Sequence, residues 1–204
     1  MTGEEIVGTA AFKRCLEFHG HLCPGLCIGF RAARAGLDWL EENRARDEEL
    51  VAIVENDACG CDAVQVLTGC TFGKGNLLFR DHGKQVFTFV ARKSGKAVRV
   101  ALKPDRTPRS ERHAELVRKR QKGELTAEEA QELAELHRKR SHAILERPAE
   151  ELFTVRPVAI PTPPQARIHA SVPCDRCAEP TMETRLEAVG GRRLCRECAA
   201  AAGR

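Results

Sequence analysis

Phe18-His19-Gly20-His21-Leu22-Cys23-Pro24-Gly25 puts two imidazoles and a thiol within five residues, at a point where the backbone is forced to break. Upstream, Phe12, Cys15, Leu16 and Phe18 recur at helical spacing, which predicts a helix over Ala10–His19 ended by Gly20. Downstream, Pro24 suits the first turn of a second helix running to about Glu42, because proline has no amide hydrogen to lose there and its φ is already helical. Cys23 then becomes the N-cap of that helix. Unpaired amides and the positive end of the helix dipole favour the thiolate there, the form that both a nucleophile and a metal ligand require. Taken singly, each of these residues has a plain reading as a surface histidine or a small buried hydrophobe; their grouping points to chemistry.

A second cluster has the same design. Leu50 to Glu55 has the composition of a short strand, Asn56-Asp57 is turn chemistry, and Cys59-Gly60-Cys61-Asp62 opens a helix that reaches about Gly69 and is followed by Cys70. Cys59 is therefore a second thiol at a helix start. On that helix Asp62 and Gln65 are three apart and Cys61 and Gln65 four apart, so they share a face. Two thiol-bearing helix starts can face one pocket.

Thr71-Phe72-Gly73-Lys74-Gly75-Asn76 invites a phosphate-loop reading and fails it. From Gly69 the run is one residue short of the P-loop spacing, Gly75 stands where a serine or threonine would bind magnesium, and a helix precedes it instead of a strand. A glycine-rich connection, with Lys74 as an anion contact, is the better account. Asn76 to Arg80, Gln85 to Ala91 and Ala97 to Leu102 then read as strands of a meander, joined at Asp81-His82-Gly83-Lys84 and Lys93-Ser94-Gly95-Lys96. His82, in the first of these joints, reads as exposed. The element order predicts an α+β fold: helix, helix, strand, helix and three strands, with a mostly antiparallel sheet covered by helices on one face.

These residues resemble a known family. The string Phe-His-Gly-His-x-Cys-Pro-Gly, the run from Cys59 through Asp62, Gln65, Gly69, Cys70, Thr71, Gly73, Lys74, Gly75 and Asn76 to Leu77, and the group Asp81, Gly83 and Lys84 look like FmdE, a component of formylmethanofuran dehydrogenase, and its stand-alone relatives. The motifs span about residues 9 to 102. The resemblance implies an α+β domain with a Cys/His metal pocket, a homodimer, and association with molybdenum or tungsten enzymes of C1 metabolism. The matching positions are His19, His21, Cys23, Cys59, Asp62, Gln65, Cys70, Thr71 and Lys74. Cys15, Cys27 and Cys61 lie outside the motif pattern, so a larger thiol constellation is open.

Independently, Cys174-Asp175-Arg176-Cys177 and Cys195-Arg196-Glu197-Cys198 are separated by 17 residues, the spacing of a four-cysteine zinc site. The segment between them is too poor in apolar residues to fold without a metal. Glu183 to Ala188 and Arg192 to Leu194 flank the hairpin turn Val189-Gly190-Gly191, and Cys195 opens an alanine-rich helix, as in a zinc ribbon or treble clef. Four thiolates close the shell, so Cys174, Cys177, Cys195 and Cys198 are read as ligands of a structural Zn²⁺. No signal-peptide pattern or apolar span is read, which favours a cytoplasmic, reduced protein over a disulfide-bonded one.

Between these parts the composition changes. Pro108 to Arg147 is charged and helix-forming, with a break at Lys122-Gly123-Glu124 and a capping box at Thr126 and Glu129. Residues 103–147 hold twelve Lys/Arg against nine Asp/Glu, most of the whole-chain net charge of +4. Arg118-Lys119-Arg120 and Arg138-Lys139-Arg140 could touch nucleic acid, but interleaved acids and the absence of aromatic residues favour a solvated arm or a dimer contact. Leu152 to Ile160 is strand-like, and Pro161-Thr162-Pro163-Pro164 is a stiff connection. The chain thus divides into a metal-pocket domain (1–103), a charged helical arm (104–150), a strand and Pro-rich connector (151–172) and a zinc module (173–204). A balance of thirteen basic and thirteen acidic residues over 1–102 argues against a nucleic-acid surface on the first domain.

The leading expectation is a metal-binding accessory or component of a molybdenum- or tungsten-dependent formyl-transferring oxidoreductase. Its pocket would hold a second transition metal, Zn²⁺ or Fe/Ni, on His21, Cys23 and Cys59, with Cys61 or Cys70 as further ligands. His19, Asp62, Gln65 and Lys74 are the catalytic candidates for the alternative, a stand-alone metalloenzyme with an open metal position. A zinc-ribbon regulator binding nucleic acid or protein is the third reading. No membrane partner is expected.

Overall fold

Five helix starts among the described residues carry side-chain caps, at Thr2, Thr9, Cys23, Ser110 and Thr126. The computed structural model describes residues 1–104 and 110–203. Thr2 caps α1 (Gly3–Val7) in a reciprocal box with Glu5, and Thr9 caps α2 (Ala10–His19), which ends at Gly20 in the left-handed region, φ 92°. Cys23 caps α3 (Pro24–Leu40), its sulfur accepting from the Leu26 amide at 3.4 Å. After β1 (Leu50–Val54) comes α4 (Gly60–Thr68), then β2 (Leu77–Phe79), β3 (Val86–Ala91) and β4 (Ala97–Leu102).

The sheet corrects the expected meander. Its order is β2-β1-β3-β4-β5, where β5 is Phe153–Pro157, and β1 pairs parallel with β2 and antiparallel with β3. The segment Asp81–Lys84 is therefore no hairpin; it carries the chain past β1 from one side to the other. The physical reason is burial. Every residue of β1 is buried, so this strand has to sit inside the sheet, with α4 as the crossover that makes β2 parallel to it.

β5 is the second correction. The strand expected in a connector pairs antiparallel with β4, Val155 opposite Val100, so one compact unit runs Met1–Gln165. The chain after Ile160 is equally part of it: Arg92 donates to the carbonyls of Pro163 and Pro164, and Val158 and Ile160 cover Val51, Ile53, Val90 and Ala97 on one face of the sheet. Leu50, Ala52, Val54, Phe87, Phe89, Val98 and Val100 turn to the other face and pack against Leu26, Phe30, Ala33 and Leu37 of α3. The two-residue alternation along each strand sorts these sets.

The arm forms two helices, α5 (Glu111–Lys122) and α6 (Ala127–Glu146), followed by the single turn α7 (Ala149–Leu152). Its expected start at Pro108 lies outside the described residues. Thr126 and Glu129 make the capping box. Arg112 makes a bidentate contact with Glu132, and Lys119 pairs with Glu129. The far half of α6 is no solvated arm: Ser141, Ile144 and Leu145 are buried, the last two within the main core.

The second unit, Ala166–Arg204, contains β6 (Ser171–Pro173) paired with β7 (Pro180–Met182), a 3₁₀ turn, and β8 (Leu186–Val189) paired with β9 (Arg192–Cys195), then α8 (Arg196–Ala202). Gly190 and Gly191 both take positive φ, 58° and 78°, as a tight hairpin turn requires. Its buried apolar residues are Cys174, Leu194 and Ala199, too few for an independent core. Among the described residues, no helix is long and apolar enough to cross a membrane.

Candidate metal centre

Two glycines bring the thiol-bearing helix starts together. A Cβ on Gly29 would lie 2.0 Å from the Gly60 carbonyl oxygen, so α3 and α4 cross backbone on backbone. One turn earlier, a Cβ on Gly25 would lie 3.0 Å from Cys59 Cβ, 3.7 Å from Cys59 Sγ and 3.9 Å from Cys23 Sγ. Cys23 and Cys59 thus border one small space. The sequence signal for this crossing is the pair Gly25 and Gly29, four apart on α3, which the helical pattern alone does not single out.

α2 supplies the imidazoles. His19, its last residue, points Nδ1 at Asp62 Oδ2, 2.7 Å away, and Nε2 at Cys23 Sγ, 3.5 Å away. An ionised carboxylate only accepts, so Nδ1 carries the proton and Nε2 presents a lone pair. Gln65 Nε2 lies 3.5 Å from the other Asp62 oxygen. The His21 ring stacks beside that of His19, centroids 4.6 Å apart, and is exposed. Ligand atoms of His19, His21 and Cys23 all lie within 4.8 Å of one another.

That grouping shifts His19, expected among catalytic candidates, to the metal-ligating atoms, and makes Asp62 the group that orients it. Burial, ahead of the opposing Leu26 amide, pushes the Cys23 thiol above its ordinary value, and Cys59 nearby adds to the rise. The thiolate expected at this helix start is therefore outweighed by desolvation. Cys23 is thus a thiol whose proton an arriving cation displaces.

The remaining thiols and the lysine lie elsewhere. Cys61 donates to the Asn56 carbonyl at 3.0 Å, and burial pushes it up to about 11. Cys70 is fully buried in the core. Cys15 and Cys27 are also fully buried, pushed up to about 11 and about 12. Lys74 donates to the Asp47 carbonyl at 2.8 Å, beside Asn76, which donates to the Asp47 and Leu50 carbonyls. The glycine-rich connection is thus a fastening for the loop before β1. His82, half exposed, faces Glu55 at 3.4 Å, where Arg99 also binds.

In the second unit the four ligand sulfurs lie within 4.8 Å of one another, Cys177 and Cys195 at 3.9 Å. A tetrahedral ion with bonds near 2.3 Å places its sulfurs about 3.8 Å apart, so the cage fits zinc. The amides of Cys177, Cys195 and Arg176 point at Cys174 and lower its thiol to about 6, favouring the ligating form. In the first unit, two imidazoles and a thiol at this spacing suit a tetrahedral transition ion; Cys59, expected as a ligand, lies outside this group of three and borders Cys23 across Gly25.

A helix-covered sheet with a Cys/His donor cluster between two crossing helix starts, joined in sequence to a four-cysteine module, defines a class of metal-binding α+β protein. The chain belongs to the FmdE family, described as that of the molybdenum formylmethanofuran dehydrogenase operon, whose model matches residues 18–154. The prokaryotic dksA/traR C4-type zinc finger matches residues 168–202. A protein of Archaeoglobus fulgidus named as a probable S-adenosyl-L-methionine-binding protein is 36% identical over 200 residues, covering 94% of this chain and 53% of that protein. The chain therefore spans about half the length of this curated relative. The crystal structure of a tungsten formylmethanofuran dehydrogenase FmdE-like protein from Syntrophus aciditrophicus aligns with a TM-score of 0.58 at 24% identity, covering 100% of this chain and 95% of that one. That likeness supports the fold.

Proposed function

We propose that this protein is a metal-binding accessory of molybdenum- or tungsten-dependent formyl metabolism, carrying a transition ion on His19, His21, Cys23 and Cys59 and a structural zinc in its C-terminal unit. The observation that carries the reading is the convergence of His19, His21 and Cys23 donor atoms within 4.8 Å, with Asp62 holding His19 in the ligating tautomer. The family membership supports the metabolic setting. The exposed His21 leaves the ion open to a partner or a small ligand, which suits delivery, sensing or electron transfer. A stand-alone metalloenzyme is the second reading, favoured by that same open side. The binding named for the Archaeoglobus relative belongs to a protein of which this chain covers 53%.

Metal analysis of the wild type against Cys23→Ser and Cys174→Ser tests the proposal. Two metal equivalents are expected, one lost independently in each variant. Unchanged metal content in Cys23→Ser would remove the basis of the pocket.

A further inference from the structure

We propose that Cys23 and Cys59 form a reversible dithiol–disulfide pair, an oxidative modification site in which a low-molecular-weight disulfide cross-links the starts of α3 and α4. It shares its residues with the metal centre proposed above and rests on that reading only for its consequence, loss of the ion on oxidation.

The geometry singles out this pair. Gly25 puts no side chain of its own between the first turns of the two helices, and both sulfurs lie within 3.9 Å of the point its Cβ would take. Cys59 Sγ lies 3.7 Å and Cys23 Sγ 3.9 Å from that same point. Cys59 makes no capping bond and is partly exposed, so an oxidant reaches it first. The competing thiols of the unit are withheld, Cys61 by its bond to Asn56 and Cys15, Cys27 and Cys70 by complete burial. The crossing at Gly29 and Gly60 holds the pair in place, so the chain entropy of closing the ring is already lost on folding.

The exchange balances without a further reactant. The Cys59 thiolate attacks one sulfur of the small disulfide, displacing one small thiolate and leaving a mixed disulfide; Cys23 then attacks Cys59 Sγ and displaces the second. The protein loses two protons and two electrons, and the small disulfide becomes two thiols. A bound cation engages both sulfurs and blocks the first step, whereas the disulfide has no thiolate left to offer the cation.

The full chain, metal-stripped or zinc-loaded, is treated with oxidised glutathione, alkylated, digested with trypsin and mapped by mass spectrometry, reading the peptides of residues 15–31 and 47–74. The expected result is a cross-link between them in the metal-free protein, absent in the zinc-loaded protein, retained in Cys61→Ser, lost in Cys59→Ser and reversed by dithiothreitol. Absence of the link in the metal-free wild type, or its loss in Cys61→Ser, would overturn the proposal. Zinc uptake by the reduced protein is measured separately, so failure of the metal reading and failure of the disulfide are told apart.

Discussion

Gly29→Ala tests the crossing on which the whole site depends. The added methyl would meet the Gly60 carbonyl oxygen at 2.0 Å and Gly60 Cα at 2.4 Å, where ordinary contact begins at 3.4 Å. Both obstacles are backbone and cannot rotate away, so α3 and α4 must separate by over 1 Å. Overpacking of this severity costs about 3 kcal/mol, and exchanging glycine for alanine within a helix returns about 1 kcal/mol, leaving a net loss of about 2 kcal/mol. Urea unfolding reads that loss as a lower midpoint at constant slope. The same separation draws Cys59 away from Cys23, so zinc uptake at the pocket weakens while the four-cysteine module keeps its ion. Gly123→Ala is the control: Gly123 has φ 73° with nothing within 4 Å, so alanine there strains the backbone by about 1–2 kcal/mol and leaves the pocket intact. A Gly29→Ala protein as stable as the wild type, with undiminished pocket zinc, would refute the close-crossing argument.

Two further outcomes follow from the geometry. Asp62→Asn retains the fold but loses the charge that holds His19 in its ligating tautomer, so pocket zinc affinity falls about 10- to 100-fold in a competitive chelator titration; unchanged affinity would show that Asp62 does not position His19. The Cys27 thiol is raised from 9.0 to about 12 by burial, so the folded state keeps a proton that the unfolded chain releases. Stability from this group is complete below pH 9 and declines as pH rises toward 12; Cys27→Ala should flatten that alkaline decline by about 1.4 kcal/mol per pH unit, and an unchanged slope in pH-dependent denaturation would dismiss the assignment.

Features decided within one helical turn were legible residue by residue. Thr126 with Glu129, Cys23 before Pro24, Gly20 after His19 and Gly190-Gly191 each act through bonds or backbone angles a few residues apart. The long-range choices were not legible. Nothing near Leu77 says that β2 lies beside β1 instead of β3, and Phe153–Pro157 carries the same strand signal whether it is a connector or the fifth strand of the sheet. Cys61 and Cys70 carried the same chemical promise as Cys59, and only packing turned one toward Asn56 and sank the other in the core.

By itself, the sequence determined the longer helices and the strands of the first domain, the two thiol-bearing helix starts, the four-cysteine module and the kind of donor atoms available. Those follow from local backbone energetics and ligand chemistry, which act over a few residues. Tertiary structure alone decided that Gly29 meets Gly60, that Asp62 orients His19, and that burial outweighs the Leu26 amide at the Cys23 thiol. Each of these depends on groups distant in the chain sharing a space from which water has been removed, and a local pattern does not record that.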